Sequence, residues 1–315
     1  MSISVSDITQ QLRERIQIPR TTNRLLENSA DWYKLCSALD VISDTDLGLD
    51  AYLDPPRVNS FGLQYLYVYG VFQLLQTQQD AVIAICSTLN ISTENSPKLP
   101  HICDLRSSSV AHPMSRTEKK AKKSGFIERI SLDYQGFNLM TVFSDGRPYK
   151  FQAIHIPTLI DEQRGVLSSV LNEVVECLDE EIMAHKKQHQ GERLSDIFPA
   201  TLGYDFSKIH EAAHHQEFHP LGVIHINIVK DILTEFKQAL EAREEWGARS
   251  GIENSYELLR YPIEMLIQYF SDSSATRLNE KDAYIFASFI AYEISNLIEM
   301  AEEIDKEYSS ETAAQ

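Results

Sequence analysis

The chain has 315 residues, 43% hydrophobic and 24% charged, enough to bury one large core or two ordinary ones. Its 29 Lys and Arg stand against 46 Asp and Glu. The resulting net charge of −17 repels phosphate backbones and anionic lipid, which excludes a generally basic nucleic-acid coat and a membrane-surface protein.

Residues 1–59 read as helical segments broken at Pro19 and at Pro55-Pro56, with Trp32, Leu35, Leu39 and Ile42 recurring at helical spacing. A long helix is predicted from Phe61 to Leu89. Its core stripe reads as Leu63, Leu66, Tyr67, Gly70, Leu74, Ala81 and Ile85, and its polar face as Gln73, Gln76, Gln78, Gln79 and Asp80. A shorter helix follows from about His101 to Ala111, ended by Pro113. The next segment, read as a loop, holds Arg116, Lys119, Lys120, Lys122 and Lys123 against Glu118 alone, a local charge of +4.

The period then changes to two. Strands are predicted over 126–134, 137–144 and 147–156, joined by Gln135-Gly136 and Asp145-Gly146, as a three-stranded antiparallel meander. Phe137, Leu139, Thr141 and Phe143 share one face, and His155 falls on the apolar face of the last strand. Pro157 opens a helix running to His189, with Val166, Val170, Val174, Cys177, Leu178 and Ile182 facing a core. Further helices are predicted over 205–218, 221–246, 256–270 and 279–308, the last capped by Asn279. Residues 235–307 alone carry −9 of the net charge.

These elements make a mainly α protein, a helical bundle with a small three-stranded β-meander insertion. The expected division is a bundle over 1–192, carrying the meander at about 126–156, and an acidic helical region over 193–315. The four cysteines, Cys36, Cys86, Cys103 and Cys177, form no close pair and read as reduced, mostly buried thiols. The start of the chain lacks an apolar leader, and no apolar run approaches a membrane span. Together these predict a cytoplasmic protein without membrane association.

Two constellations carry possible chemistry. In the first, Arg106-Ser-Ser-Ser-Val-Ala-His112 joins a planar, permanently charged phosphate grip to a group that titrates near neutrality. Six residues of α-helix advance about 9 Å and turn about 240°, so a bend or a symmetric pairing of two helices is needed to bring both to one site. Here the sequence resembles the HEPN superfamily of helical bundles, whose signature is an Arg, four to six residues, then His. The resemblance covers about residues 60–125 plus the helix after Pro157, and the position following the Arg is Ser107 where the family usually has Asn, Asp or His. It implies a metal-independent ribonuclease, of the kind found in defence or toxin systems, acting at a homodimer cleft without a cofactor. Carried over, Arg106 holds the scissile phosphate and His112 is the general base on a ribose 2′-hydroxyl. Asp80 is placed to orient either one, and Arg116, Lys119, Lys120, Lys122 and Lys123 follow as contacts to an RNA backbone.

The second constellation is His210-Glu-Ala-Ala-His214, the H-E-x-x-H spacing in which two His share a helix face to bind zinc, with Glu211 as general base. His215 and His219 lie close by in sequence, so a His-rich zinc site is the alternative to a cofactor-free protein. A non-catalytic scaffold that docks a protein partner through the acidic C-terminal helices is the alternative to an enzyme.

Overall fold

The computed structural model describes residues 4–54, 60–111, 116–118 and 121–309, with the backbone alone of 111, 116–118, 121 and 122. The protein is mainly α. The chain divides into two compact units, Met1–Glu181 and Ile182–Gln315, at a point inside one long helix rather than after it.

The first unit opens with α1 (Val5–Ile16), whose Ser4 and Asp7 form a reciprocal capping box. Pro19 takes the first turn of α2 (Pro19–Leu26), followed by α3 (Ser29–Leu53) and α4 (Phe61–Leu89). Asn90, in the left-handed conformation that Asn tolerates, ends α4. The short α5 (Pro100–Arg106) passes directly into a π-helical turn over Ser107–Ala111. Next comes the sheet, then α6 (Ile156–Gln188).

The first unit has two apolar clusters. One gathers Ile8, Leu12, Leu39, Ile42, Ile85 and Val174, and the other Leu49, Phe72, Leu75, Ile102, Phe137 and Ile160. Between them α4 contributes Gln78 and Gln79 and α6 contributes Gln163, all three fully buried. Gln79 Nε2 donates to Gln163 Oε1 (2.7 Å), and Gln163 Nε2 donates to Gln78 Oε1 (2.9 Å) and to the Leu75 carbonyl (3.1 Å). Gln79 Oε1 accepts the Leu99 backbone N–H (3.0 Å) and faces the Cys103 thiol (3.5 Å). Three helices are thus tied at one polar knot.

This corrects the expected face of α4. Gln78 and Gln79 turn inward, whereas Leu63, Leu66 and Gly70 are exposed. Residues 65–72 of α4 are apolar on every side, so periodicity there does not select a face. Nor can it show that Gln163, 84 residues away, supplies the missing partner. Cys177 is exposed and the other cysteines are half-buried, all as free thiols.

The sheet is antiparallel, in the order β1 (Arg116–Glu118), β2 (Ala121–Ile127), β3 (Gly136–Phe143) and β4 (Lys150–His155). β2, β3 and β4 make the expected meander, but its first strand lies earlier than predicted and the basic segment pairs as the β1–β2 hairpin. Residues 129–131 form a 3₁₀ turn. Phe137, Leu139 and Ile154 are buried on the sheet's inner face. Gly125 lies so near the π turn that a Cβ there would stand 1.9 Å from the Ser108 carbonyl oxygen. His155 is exposed rather than in the core. Its Nδ1 lies 2.8 Å from Thr158 Oγ1 and accepts the Thr158 N–H, because the strand ends there and α6 begins.

The second unit packs α7 (Leu202–His214), α8 (His219–Ala242), α9 (Ser250–Ser271) and α10 (Glu280–Ser309) around Ile209, Phe236, Leu259, Leu266, Ile290 and Leu297. Asn279 caps α10 as expected. The Asp305 carboxylate accepts the Leu194 and Ser195 N–H groups (2.8 and 2.9 Å), which fastens the loop after α6 to α10.

Replacing Gln163 with Leu strands Gln79 Nε2 and Gln78 Oε1 in a dry interior. The expected cost is about 2–4 kcal/mol. It is to be read as a lowered denaturation midpoint of the first unit, followed by Trp32 emission in a Trp246→Phe background.

Candidate functional site

Arg106 is the last residue of α5, and its position follows from the polar knot, since Gln79 holds Leu99 and Cys103 at the start of the same helix. The guanidinium is half-buried and its Nη2 donates to Gln73 Oε1 of α4 (2.9 Å). Among the described residues it pairs with no carboxylate, so its charge is held by a neutral amide. The helix leaves α geometry at the next residue. Such π turns are rare and often sit at functional sites.

Asp80 is exposed on α4 and accepts from Gln76 Nε2 (2.9 Å). It stands seven residues, about 10 Å of helix, beyond Gln73, and makes no contact with Arg106. His112, Lys119 and Lys120 lie outside the described residues. Arg116 is on β1, and Lys122 and Lys123 are on β2. Between α5, the π turn and the sheet lies a cavity of about 260 Å³, lined by His101, Asp104, Ser108, Lys123, Phe143 and Lys150 among others.

The face of α4 that carries Gln73 is apolar toward its start. Leu63, Leu66 (68% exposed), Tyr69 and Gly70 lead along it, and a side chain added at Gly70 would meet nothing within 4 Å. Periodicity identified Leu63, Leu66 and Gly70 as core. Their exposure next to Arg106 was visible only once the fold had set the helix rotation.

In the second unit, His210, Glu211, His214, His215 and Tyr284 line a cavity of about 430 Å³. His210 and His214 both lie against the Tyr284 ring, with centroids at 5.2 and 5.0 Å. His214 Nδ1 is 2.9 Å from Glu280 Oε1, while Glu211 is bound to Lys208 (2.7 Å). His219 belongs to no such cluster, since it is buried against Tyr269 and Phe270. No group of three or more His, Cys, Asp or Glu is disposed to hold a metal ion among the described residues. Glu211, the expected general base, is turned to a lysine.

A cavity of about 650 Å³ lies at the end of α6, lined by His189, Arg193, Asp305 and Tyr308 among others. There His185 and His189 stack at 5.0 Å and meet the Tyr308 ring.

Burial pushes the His219 imidazole below its ordinary pKa of 6.5, and burial together with the charge of His214 does the same for His210. A depressed folded pKa means that the unfolded chain takes up protons first. The stability contributed by the neutral rings is therefore complete above about pH 6.5 and is lost as pH falls through the folded values. The expected result is a falling denaturation midpoint of the second unit between pH 7 and 5.5, followed by Trp246 emission in a Trp32→Phe background. His219→Phe should make that slope shallower.

No family model matches the chain, and no curated protein or solved structure matches it. No helix among the described residues is long and apolar enough to cross a membrane.

Proposed function

We propose that the first unit is a HEPN-like module that binds RNA and cleaves it without metal at a cleft formed by two copies of the chain. The observation that carries this reading is Arg106, a half-buried guanidinium at a helix end, facing the neutral Gln73 in a chain with a net charge of −17. A cation left with hydrogen-bonding capacity and no carboxylate partner among the described residues is suited to a phosphate, which its planar donor fork grips on two oxygens.

In this reading Arg106 holds the scissile phosphate and stabilises the charge that develops on it. His112, six residues on, takes the proton of the attacking 2′-hydroxyl and returns one to the leaving 5′-oxygen. The products are a 2′,3′-cyclic phosphate and a 5′-hydroxyl. Asp80 acts, if at all, through the Gln76 and Gln73 side chains rather than by contact. The open face of α4 from Leu63 to Gly70 supports a twofold partner, because an isologous contact there brings the two Arg106 side chains toward one another.

A second reading has its own observation. Leu221, Ile224 and Ile228 form an exposed stripe on α8 of the acidic second unit, which suits a protein-docking module without catalysis.

The test is cleavage of a labelled single-stranded RNA in EDTA by the full chain. Wild type should cut, His112→Ala should lose at least 100-fold in rate and Arg106→Ala a similar factor, with folding intact by circular dichroism. Equal rates for wild type and His112→Ala would sink the catalytic assignment. Leu66→Arg should convert a dimer to a monomer in sedimentation and lower the rate with it. A wild-type monomer that cleaves at full rate removes the dimer cleft.

A further inference from the structure

The cavity of about 650 Å³ in the second unit opens where α6 and α10 end. Lys186 and Lys187 reach it from the last turn of α6, His189 and Arg193 from the loop beyond, and Asp305 and Tyr308 from α10. That volume is of the size that holds a small organic molecule.

The charge at this cavity runs against that of its surroundings, since residues 235–307 carry −9. Lys186 and Lys187 make no ion pair among the described residues. The Arg193 side chain is 60% exposed and has Asp305 at 3.9 Å. The two lining carboxylates are already engaged. Asp305 accepts the Leu194 and Ser195 N–H groups, and Glu192 lies 3.2 Å from His189 Nδ1. Behind the wall stands Arg243, just past the end of α8 and only 3% exposed. Its Nη2 donates to the Glu192 carbonyl and its guanidinium lies over the Tyr308 ring at 5.2 Å. Its Nη1 makes no hydrogen bond and has the Asp305 carboxylate at 3.8 Å. Glu192, Asp305 and Tyr308 all line the cavity, so an unsatisfied buried donor stands at its wall. The dipole of α6 favours lysines in its last turn. It does not account for Arg193 and Arg243 converging on the same place from a loop and from another helix.

Ammonium and guanidinium groups that retain donors are matched by phosphate oxygens. The three cations at the mouth suit the charge of a diphosphate. A diphosphate alone fills only part of the cavity, and the remaining wall includes Met183, Ala184 and the Tyr308 ring, which suit an apolar body.

We propose that this cavity binds a small organic diphosphate, with Lys186, Lys187 and Arg193 on the phosphates and the organic part against Met183 and Tyr308. The site lies within the second unit and is independent of the RNA reading. Its ligand bridges the ends of α6 and α10 and so stabilises that unit.

The experiment is isothermal titration calorimetry of the full chain in EDTA, with ADP, inorganic pyrophosphate and adenosine as probes. Wild type should bind ADP more tightly than pyrophosphate, and adenosine at least 10-fold more weakly than ADP. Lys187 and Arg193 are exposed, so Lys187→Gln/Arg193→Gln should keep the wild-type denaturation midpoint without ligand. It should bind ADP at least 10-fold more weakly. Lys230→Gln/Lys281→Gln removes the same charge from exposed positions of the unit outside the cavity and should bind ADP as wild type does. ADP should raise the midpoint reported by Trp246 in a Trp32→Phe background, and the cavity variant should lose that rise.

No binding of ADP by wild type at millimolar concentration overturns the site, and so does equal binding by the cavity variant. An equal loss in Lys230→Gln/Lys281→Gln reveals a general effect of charge and overturns it as well. Pyrophosphate that binds as tightly as ADP, or adenosine that does, removes the organic diphosphate as the ligand.

Discussion

Gln163 donates to Gln78 and to the Leu75 carbonyl and accepts from Gln79, and on this buried knot the first unit depends. Buried amides favour the arrangement in which their hydrogen bonds are made; every side-chain amide atom of the three glutamines except Gln78 Nε2 is bonded, so the bonds dictate the relative rotation and height of α4 and α6. The apolar clusters on either side supply most of the burial, yet a Leu-, Ile- and Val-rich interface accepts many registers. One set of directional bonds between them excludes the others.

The consequence reaches Arg106. Gln79 also accepts the Leu99 N–H at the start of α5, so the same amide that meets Gln163 fixes where α5 begins. Seven residues later the helix ends beside Gln73, and the guanidinium is left against a neutral partner. The sheet is anchored from the other side by the contact of Gly125 with the π turn. Knot, short helix, π turn and sheet form one chain of constraints, each link set by a close polar or backbone contact.

Charge is distributed to match. The acidic excess is concentrated in the helices of the second unit, whose buried Asp305 and Glu245 are spent on backbone N–H groups, Tyr308 and Arg249. The basic hairpin is confined to the sheet of the first unit. Under the proposed reading a phosphate backbone is repelled over the acidic helices of the second unit and met locally at Arg106.

The helices were legible from the residues alone. The Phe61–Leu89 boundaries, the Asn279 cap, the start of the helix beside Pro157 and the β3–β4 pairing around Asp145-Gly146 follow from local capping, turn chemistry and periodicity, whereas Gln135-Gly136 closes no tight turn, because β2 ends at Ile127 and residues 129–131 form a 3₁₀ turn. Arg106 was legible as a candidate because its type and its spacing to His112 are sequence properties. What the sequence by itself determined is therefore local: where most helices and the β3–β4 hairpin lie, and which side chains are candidates for chemistry. The tertiary structure alone decided that Gln78 and Gln79 face inward, that Leu66 and Phe126 face outward, that His219 is buried and that Glu211 is turned to Lys208. Each of these depends on a partner many residues away, or on a helix rotation that an all-round apolar segment such as 65–72 leaves undetermined. Propensity acts over a few residues, while a buried hydrogen bond is fixed only when both of its ends have been folded into place.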